Sequence, residues 1–196
     1  MRAWLKRWGW ACLGVMALLG VSALASHAAE PFTITSSAYQ DGDAWPSKFA
    51  GSDPRRTNPP CPGQNVSPPL AWSNAPAGTK SFAILMYDPD GRNGLGSGHW
   101  VAYDIPPGKT SFAEGEASVP PHGFVGGRNN VGTGHYFGPC ASAGGSFHHY
   151  VITVIATDVE PGKLKPGLTR DELLKELQGH ALAAASIVGR YRRPSP

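Results

Sequence analysis

The feature that most constrains this chain is a pair of short apolar runs separated by a glycine-rich loop. Residues 81–87 (SFAILMY) and 100–105 (WVAYDI) are short, apolar and bounded by turn residues, a pattern typical of buried strands. Asp88 and Asp90 follow the first run, and His99 stands just before the second. Polar groups at the end of a β framework commonly fix a small ligand, so we expect a site here.

Frequent turn residues elsewhere predict a mainly β fold. The chain has 196 residues, enough for one domain with a real core. Its 25 glycines and 19 prolines favour short strands joined by many turns. Residues 148–156 (HHYVITVIA) have the strongest strand pattern, and their long apolar run indicates burial on both faces.

Helical periodicity is convincing only near the C-terminus. Thr169 and Glu172 have the spacing of a capping box. Five apolar residues then recur at intervals of three or four and would share one helix face. They are Leu173, Leu177, Ala181, Ala184 and Val188. We therefore expect a C-terminal helix that ends at a Gly189 C-cap and bends or breaks at Gly179.

The first 28 residues have the pattern of a secretory signal peptide. Three basic residues precede an uncharged run over residues 8–24, and small residues stand just before Ala29. A single transmembrane anchor is the alternative, but the apolar run is slightly short for one. We therefore expect a signal peptide over residues 1–28 and one exported domain over residues 29–196, periplasmic or secreted.

Net charge argues against a nucleic-acid partner. The predicted leader contains three of the 17 basic residues and none of the 14 acidic ones. The remaining chain is formally neutral, so it lacks the basic composition of a nucleic-acid-binding domain.

Two cysteines remain once Cys12 leaves with the leader. Cys61 and Cys140 would meet an oxidising compartment, where a disulfide is the default interpretation. By closing the loop between the two cysteines, such a bond would add roughly 4 kcal/mol to the free energy of unfolding in the chain-entropy description, and often less in practice. The alternative is two free, buried thiols.

Several motifs, in order along the chain, resemble the phosphatidylethanolamine-binding protein family in its bacterial, Raf-kinase-inhibitor-like branch. They are residues 65–72 (NVSPPLAW), 88–90 (DPD), 99–100 (HW), 138–140 (GPC), 148–151 (HHYV), 179–183 (GHALA) and 188–191 (VGRY). The resemblance spans about residues 32–193. It implies an antiparallel β-sandwich with a large sheet and peripheral helices, and a small pocket for phosphate or a phosphorylated head group.

The resemblance also implies which residues form that pocket. By motif they are Asp88, Asp90, His99, Gly138, Pro139, His148 and Tyr150. The chain departs from the family pattern at three places around them. Gly91-Arg92 replaces the usual Ala-Pro, Ser97-Gly98 replaces aromatic residues, and Ala141-Ser142 replaces Pro-Pro. We therefore expect a wider and less apolar rim.

The chemistry of these residue types suits an anion. Imidazoles donate to oxyanions, most fully when protonated. Tyr150 lies two residues from His148 on a predicted strand, so both side chains face the same side. If the strands that begin near His99 and His148 are neighbours, the two imidazoles can converge on one oxyanion. Gly138 would let a backbone amide approach closely.

The carboxylates need a separate explanation, because a carboxylate repels an anion. Asp88 could hold a histidine tautomer, accept from Tyr150 or contact the ammonium of an ethanolamine group. Alternatively, Asp88 and Asp90 only cap the loop by accepting backbone N–H bonds. The other histidines considered, at positions 122, 135 and 149, are expected in loops or on the opposite face.

Two catalytic interpretations compete with binding. Asp88, Asp90, His99 and His148 are residue types that suit zinc, although their spacing matches no metal motif known to us. A His–Asp pair could instead activate Ser97 or Ser142, but no GxSxG elbow is present. The sequence therefore favours a non-catalytic protein without cofactor or metal, which binds a small anionic or phosphorylated ligand such as a lipid head group.

Overall fold

The structure, a computed structural model, describes residues 30–53 and 61–195 of the chain. The predicted signal peptide lies outside these residues. In chain order the strands are β1 (Thr33–Thr35), β2 (Asp43–Ala44), β3 (Ser52–Asp53), β4 (Cys61–Pro62), β5 (Leu70–Ser73), β6 (Ser81–Asp88), β7 (Ser97–Ile105), β8 (Ser111–Phe112), β9 (Val125–Gly126), β10 (His148–Thr157) and β11 (Ala181–Tyr191). The helices are α1 (Gly91–Gly94) and α2 (Arg170–Glu176), and 3-10 turns lie at Ser47–Phe49 and Glu116–Ser118.

The described strands form two packed sheets and a small ribbon. The large sheet has the order β2-β11-β10-β6-β7-β9, and its neighbours are antiparallel except β2 and β11. A second antiparallel sheet has the order β1-β5-β8, and β3 pairs with β4. This arrangement confirms the mainly β, antiparallel sandwich predicted from the sequence.

Strand β6 is buried on both faces and lies near the centre of the large sheet. Its residues Phe82, Ile84 and Met86 face the main core between the two sheets. Ala83 and Leu85 point the other way, into a second cluster that includes residues of α2. This alternation follows from the two-residue period of a strand, and it explains why the apolar run of β6 has no polar gaps.

Aromatic side chains fill the space between the two sheets. Trp72 of β5 meets Phe82 edge-on, with ring centroids 5.4 Å apart. Trp100 of β7 meets Phe112 of β8 in the same manner, also at 5.4 Å. Each such pair adds about 0.5–1.5 kcal/mol beyond the burial of its surface. Trp72 is therefore part of the main core.

The predicted C-terminal helix is much shorter than expected. Its start is right, because Thr169 and Glu172 form the capping box. However, α2 ends at Glu176, and Gly179 adopts a left-handed φ of 80° that turns the chain. Residues from Ala181 onward form β11, so the extension of the helix to a Gly189 C-cap was wrong. Pairing with β10 overrides the helical spacing of the alanines.

Cys61 and Cys140 form a disulfide, the first of the two alternatives raised by the sequence. In the part of the chain that the structure describes, no helix is long and apolar enough to cross a membrane.

Candidate functional site

The ends of three adjacent interior strands lie side by side at one end of the large sheet. Strand β6 lies between β7 and β10 and is antiparallel to both. Its C-terminal residue, Asp88, therefore lies beside the first residues of β7 and β10. The convergence of the two imidazoles was expected if the strands of His99 and His148 were direct neighbours. They are not: each of them pairs with β6, the strand that carries Asp88.

Asp88 is a buried carboxylate with both oxygens in use. It is 3% exposed. Its Oδ1 accepts from the backbone N–H groups of Asp90 and Gly91, each at 3.0 Å. Its Oδ2 lies 2.8 Å from His148 Nδ1 and 4.0 Å from His99 Nε2. Asp88 therefore caps the loop and also holds the His148 imidazole, so it does more than cap the loop; His99 lies within ion-pair distance of the same oxygen.

A β-bulge aims His99 at Asp88. Met86 pairs with Trp100 and Tyr87 pairs with Gly98, so His99 is an extra residue between two ladder positions. The His99 ring meets Tyr150 edge-on at 5.1 Å and stacks on Phe137. A bulge commonly re-aims a side chain in this manner. His99 Nδ1 also lies 2.9 Å from the carbonyl oxygen of Phe137, which holds the ring orientation.

Tyr150 forms the floor of the site. It is fully buried, and its ring stacks near His148, with centroids 6.4 Å apart. Burial raises the pKa of Tyr150 far above its usual value, and the negative charge of Asp88 raises it further. The phenol therefore stays protonated and can donate. Asp88 also acts as an acceptor toward this phenol, although the Tyr150 hydroxyl forms no hydrogen bond of ordinary geometry among the described residues.

These side chains line a cavity of about 200 Å³, which we call the histidine cavity. Its described lining residues are Asp88, Gly91, Arg92, Ser97, His99, Asn130, Phe137, Cys140, Ala141, Ser142, His148 and Tyr150. Four of the predicted pocket residues, Asp88, His99, His148 and Tyr150, are therefore brought together.

The other three predicted pocket residues lie outside this lining. Asp90 accepts from the backbone N–H of His149 and lies 2.9 Å from His149 Nδ1. The hydrogen bond from this histidine is the main reason that the pKa of Asp90 is lowered.

Gly138 and Pro139 make backbone contacts with other loops. The Gly138 N–H donates to Asn65 Oδ1 at 2.8 Å, and the Pro139 oxygen accepts from the Gly51 N–H. Gly138 is needed for packing, because a Cβ there would lie 2.0 Å from the Phe49 oxygen.

Sequence reasoning missed Arg92, Asn130 and Phe137 as lining residues. In the sequence, Arg92 marks only a departure from the family pattern, although it follows the two aspartates closely. Asn130 donates to Ser97 Oγ at 2.6 Å and is brought there from a distant loop. No local pattern marks Asn130, so its position is a result of tertiary structure.

The geometry bears on both catalytic alternatives. No group of three or more His, Cys, Asp or Glu side chains within residues 30–53 and 61–195 is arranged to hold a metal ion. Ser97 Oγ accepts from the amide of Asn130, and that partner is not a base.

The chain is thus a two-sheet β protein with a histidine–carboxylate cavity at the ends of central strands, and comparison with known proteins shows which family it belongs to. The model of the family described as phosphatidylethanolamine-binding protein matches residues 35–192. The chain belongs to this family, whose members are generally binding proteins for small ligands such as phospholipid head groups.

Individual relatives come from bacteria and archaea. A UPF0098 protein of Methanothermobacter thermautotrophicus is 38% identical over 68% of this chain and 87% of its own length. The candidate lipoprotein LppC of Mycobacterium tuberculosis is 37% identical over 84% of this chain and 74% of its own length. The crystal structure of Escherichia coli YbcL, titled as a new member of the mammalian PEBP family, is 31% identical and matches with a TM-score of 0.72 over 82% of this chain and 98% of YbcL.

Proposed function

We propose that this chain is an exported, non-catalytic binding protein whose histidine cavity takes phosphate or a phosphorylated head group such as phosphoethanolamine. The observation that carries this proposal is the placement of one buried carboxylate between two imidazoles, His99 and His148, in the wall of a cavity. Asp88 positions the rings, and the rings, Tyr150 and Arg92 supply donors to the anion.

Charge explains how an acidic residue can serve an anion site. When both imidazoles are protonated, Asp88, His99 and His148 together carry one positive charge. Arg92 adds a second positive charge to the lining. Charge-assisted hydrogen bonds from such groups are shorter and stronger than neutral ones. The buried surroundings reduce screening by water, which strengthens the attraction.

Size restricts the ligand to something small. Cavities for drug-sized molecules are about 300–1,000 Å³, and the histidine cavity measures about 200 Å³. A phosphate or a phosphorylated head group is therefore a better match than an entire lipid, whose acyl chains would remain outside.

Export is supported by three independent features. The leader has the pattern of a signal peptide. The Cys61–Cys140 disulfide suits an oxidising compartment. The relative LppC is named as a candidate lipoprotein. We place the mature protein in the periplasm or outside the cell.

Replacing His148 with alanine tests the anion site. One charge-assisted hydrogen bond contributes roughly 1.5–3 kcal/mol, so His148→Ala should weaken phosphate binding about tenfold or more. The measurement is a titration of the mature protein with inorganic phosphate, followed by histidine NMR shifts. His135→Ala is the matched control, because His135 lies outside the cavity lining. Equal affinities in wild type and both variants would show that this cluster is not the anion site.

The same site should depend on pH. Anion binding should tighten as the solution becomes more acidic, because imidazolium donates from both nitrogens whereas neutral imidazole donates from one. Sulfate is the better probe here, since it stays a dianion as the pH falls while phosphate gains a proton. His135 provides an internal reference in the NMR spectra, because it does not line the histidine cavity. Burial lowers its pKa, so it stays neutral at a more acidic pH than an ordinary histidine. A sulfate affinity that does not change between acidic and alkaline pH would contradict a role for the imidazoles.

A further inference from the structure

A second cavity lies on the other side of the loop that begins with Gly91. It measures about 290 Å³, and we call it the arginine cavity because Arg92, Arg128 and Arg170 line it. Arg92, Ser97 and Asn130 line both this cavity and the histidine cavity. The two cavities are therefore adjacent, with a shared wall of three polar side chains.

The arginine cavity has an excess of positive charge. Counted over the described residues, its lining contains three guanidinium groups and one carboxylate, that of Asp171. The Asp171 side chain is 88% exposed, so its pair with Arg170 at 2.8 Å is largely screened by water. The lining therefore carries a formal charge of about +2, which favours an anionic occupant.

Neutral and charged contacts together hold Arg128 and Arg170 in place. Arg128 Nε donates to the Gly167 oxygen at 2.9 Å, while its Nη2 lies 3.6 Å from the Glu172 carboxylate, which also accepts from Thr169. The Arg170 guanidinium lies over the Tyr87 ring, 4.3 Å from its centroid. Such contacts orient a guanidinium while leaving N–H groups available, as recognition of a planar or tetrahedral anion requires.

The loop between the cavities is held in an unfavourable conformation. Arg92 and Asn93 both have left-handed backbone angles, with φ of 55° and 60°. Such angles are unfavourable for an L-residue, more so for arginine than for asparagine. The Gly91 N–H bond to Asp88 and the Gly96 N–H bond to the Gly91 oxygen hold the turn. Strain of this kind is concentrated at functional sites, and here it places Arg92 in the lining of both cavities.

We infer that the protein binds a ligand with two anionic groups, a phosphoryl group in the histidine cavity and a second anionic group in the arginine cavity. This inference rests on the proposed function of the histidine cavity. Arg92, Arg128 and Arg170 select for the second group. Joining two anions in one molecule makes the second contact intramolecular, so the pair binds more tightly than either alone when the spacer fits.

The test compares a ligand that has one phosphonate group with ligands that have two. Methylphosphonate and a series of methylene, ethylene, propylene and butylene bisphosphonates are titrated into the mature protein by calorimetry at constant pH and ionic strength. We expect at least one bisphosphonate to bind wild type about tenfold tighter than methylphosphonate, because it gains charge-assisted contacts in the arginine cavity. Arg128→Gln and Arg170→Gln should remove that gain and leave methylphosphonate binding unchanged.

Lys175→Gln is the matched control. Lys175 lies on the same helix as Arg170 and is exposed, but it lines neither cavity. The Lys175→Gln variant loses one positive charge, as the arginine variants do, and should keep the full gain in affinity for the bisphosphonate. A bisphosphonate gain that is absent in wild type, or that Lys175→Gln reduces as much as Arg128→Gln, would overturn this inference alone. Failure of wild type to bind methylphosphonate would overturn the proposed function together with it.

Discussion

Two buried aspartates show how differently one residue type is used within the large sheet. Asp88 has hydrogen bonds to both carboxylate oxygens. Asp104, near the C-terminal end of β7, accepts from the Gly162 N–H at 2.9 Å through Oδ2, while its Oδ1 has no partner among the described residues. Asp104 also has a left-handed φ of 54°. The first arrangement suits a site, and the second is a local cost to stability.

Asp104→Asn should therefore be tolerated or stabilising near neutral pH. Burial raises the pKa of Asp104, so the ionised form is disfavoured in the folded state and stability falls as pH rises from the ordinary carboxyl range through this raised pKa. Asparagine keeps an acceptor for Gly162, is neutral, and tolerates left-handed angles better than most residues. We expect a gain of about 1 kcal/mol or less in the free energy of unfolding near pH 7.

Urea unfolding of the mature protein at neutral and acidic pH measures this effect. The difference between Asp104→Asn and wild type should shrink at acidic pH, where the wild-type carboxyl is protonated. A clear loss of stability in the variant near pH 7 would contradict this account of Asp104.

At the scale of elements, the junction between α2 and β11 decides the C-terminal architecture. Leu177 caps α2, and Gly179 then turns the chain with a φ of 80°. Strand β11 runs back along β10, where Val154, Ile155 and Ala156 face Ala185, Ala184 and Ala183. Strand β10 is buried on both faces only near its C-terminal end and on one face before that, which is less burial than the sequence predicts. The small alanines pair along this buried end, so β pairing is favoured over continuation of the helix.

Gly179→Ala tests this junction without introducing a clash. No atom of the described residues lies within 4 Å of the position that a Cβ would occupy. The cost should therefore be purely conformational, about 1–2 kcal/mol in the free energy of unfolding. Gly179→Asn should cost less, because asparagine adopts left-handed angles more readily. Equal stabilities for all three proteins in urea unfolding would mean that this turn relaxes without cost.

For the molecule as a whole, the disulfide connects covalent structure to the site. Cys140 lines the histidine cavity together with Ala141 and Ser142. Its partner Cys61 belongs to β4, 79 positions earlier in the chain. The bond therefore stabilises the fold and also holds one wall of the cavity in place.

Replacing both cysteines with serine should lower stability and weaken anion binding together. The chain-entropy description allows a loss of up to about 4 kcal/mol. Urea unfolding without reductant measures that loss, and the phosphate titration measures the effect on the cavity wall. Reduced wild-type protein serves as the control and should match the variant. Unchanged phosphate affinity in both would show that the wall keeps its shape without the bond.

Much of this protein is determined by local sequence. Apolar runs over residues 81–87 and 148–156 predict the two central strands, and turn residues around them predict a mainly β fold. The Asp88 and His148 motifs lie directly at strand ends, where local pattern is most informative. Local sequence also specifies the start of α2, because a capping box satisfies backbone donors within four residues.

Tertiary structure alone decides the rest, because it depends on pairing between distant segments. The bulge that turns His99 toward Asp88 exists only as a register shift between β6 and β7. Asn130 and Phe137 reach the cavity from a loop with no periodic pattern. The alanines of β11 have helical spacing, yet they form a strand because β10 offers a ladder of hydrogen bonds along its edge. Propensity differs by only about 1 kcal/mol per residue, so a partner strand outweighs it.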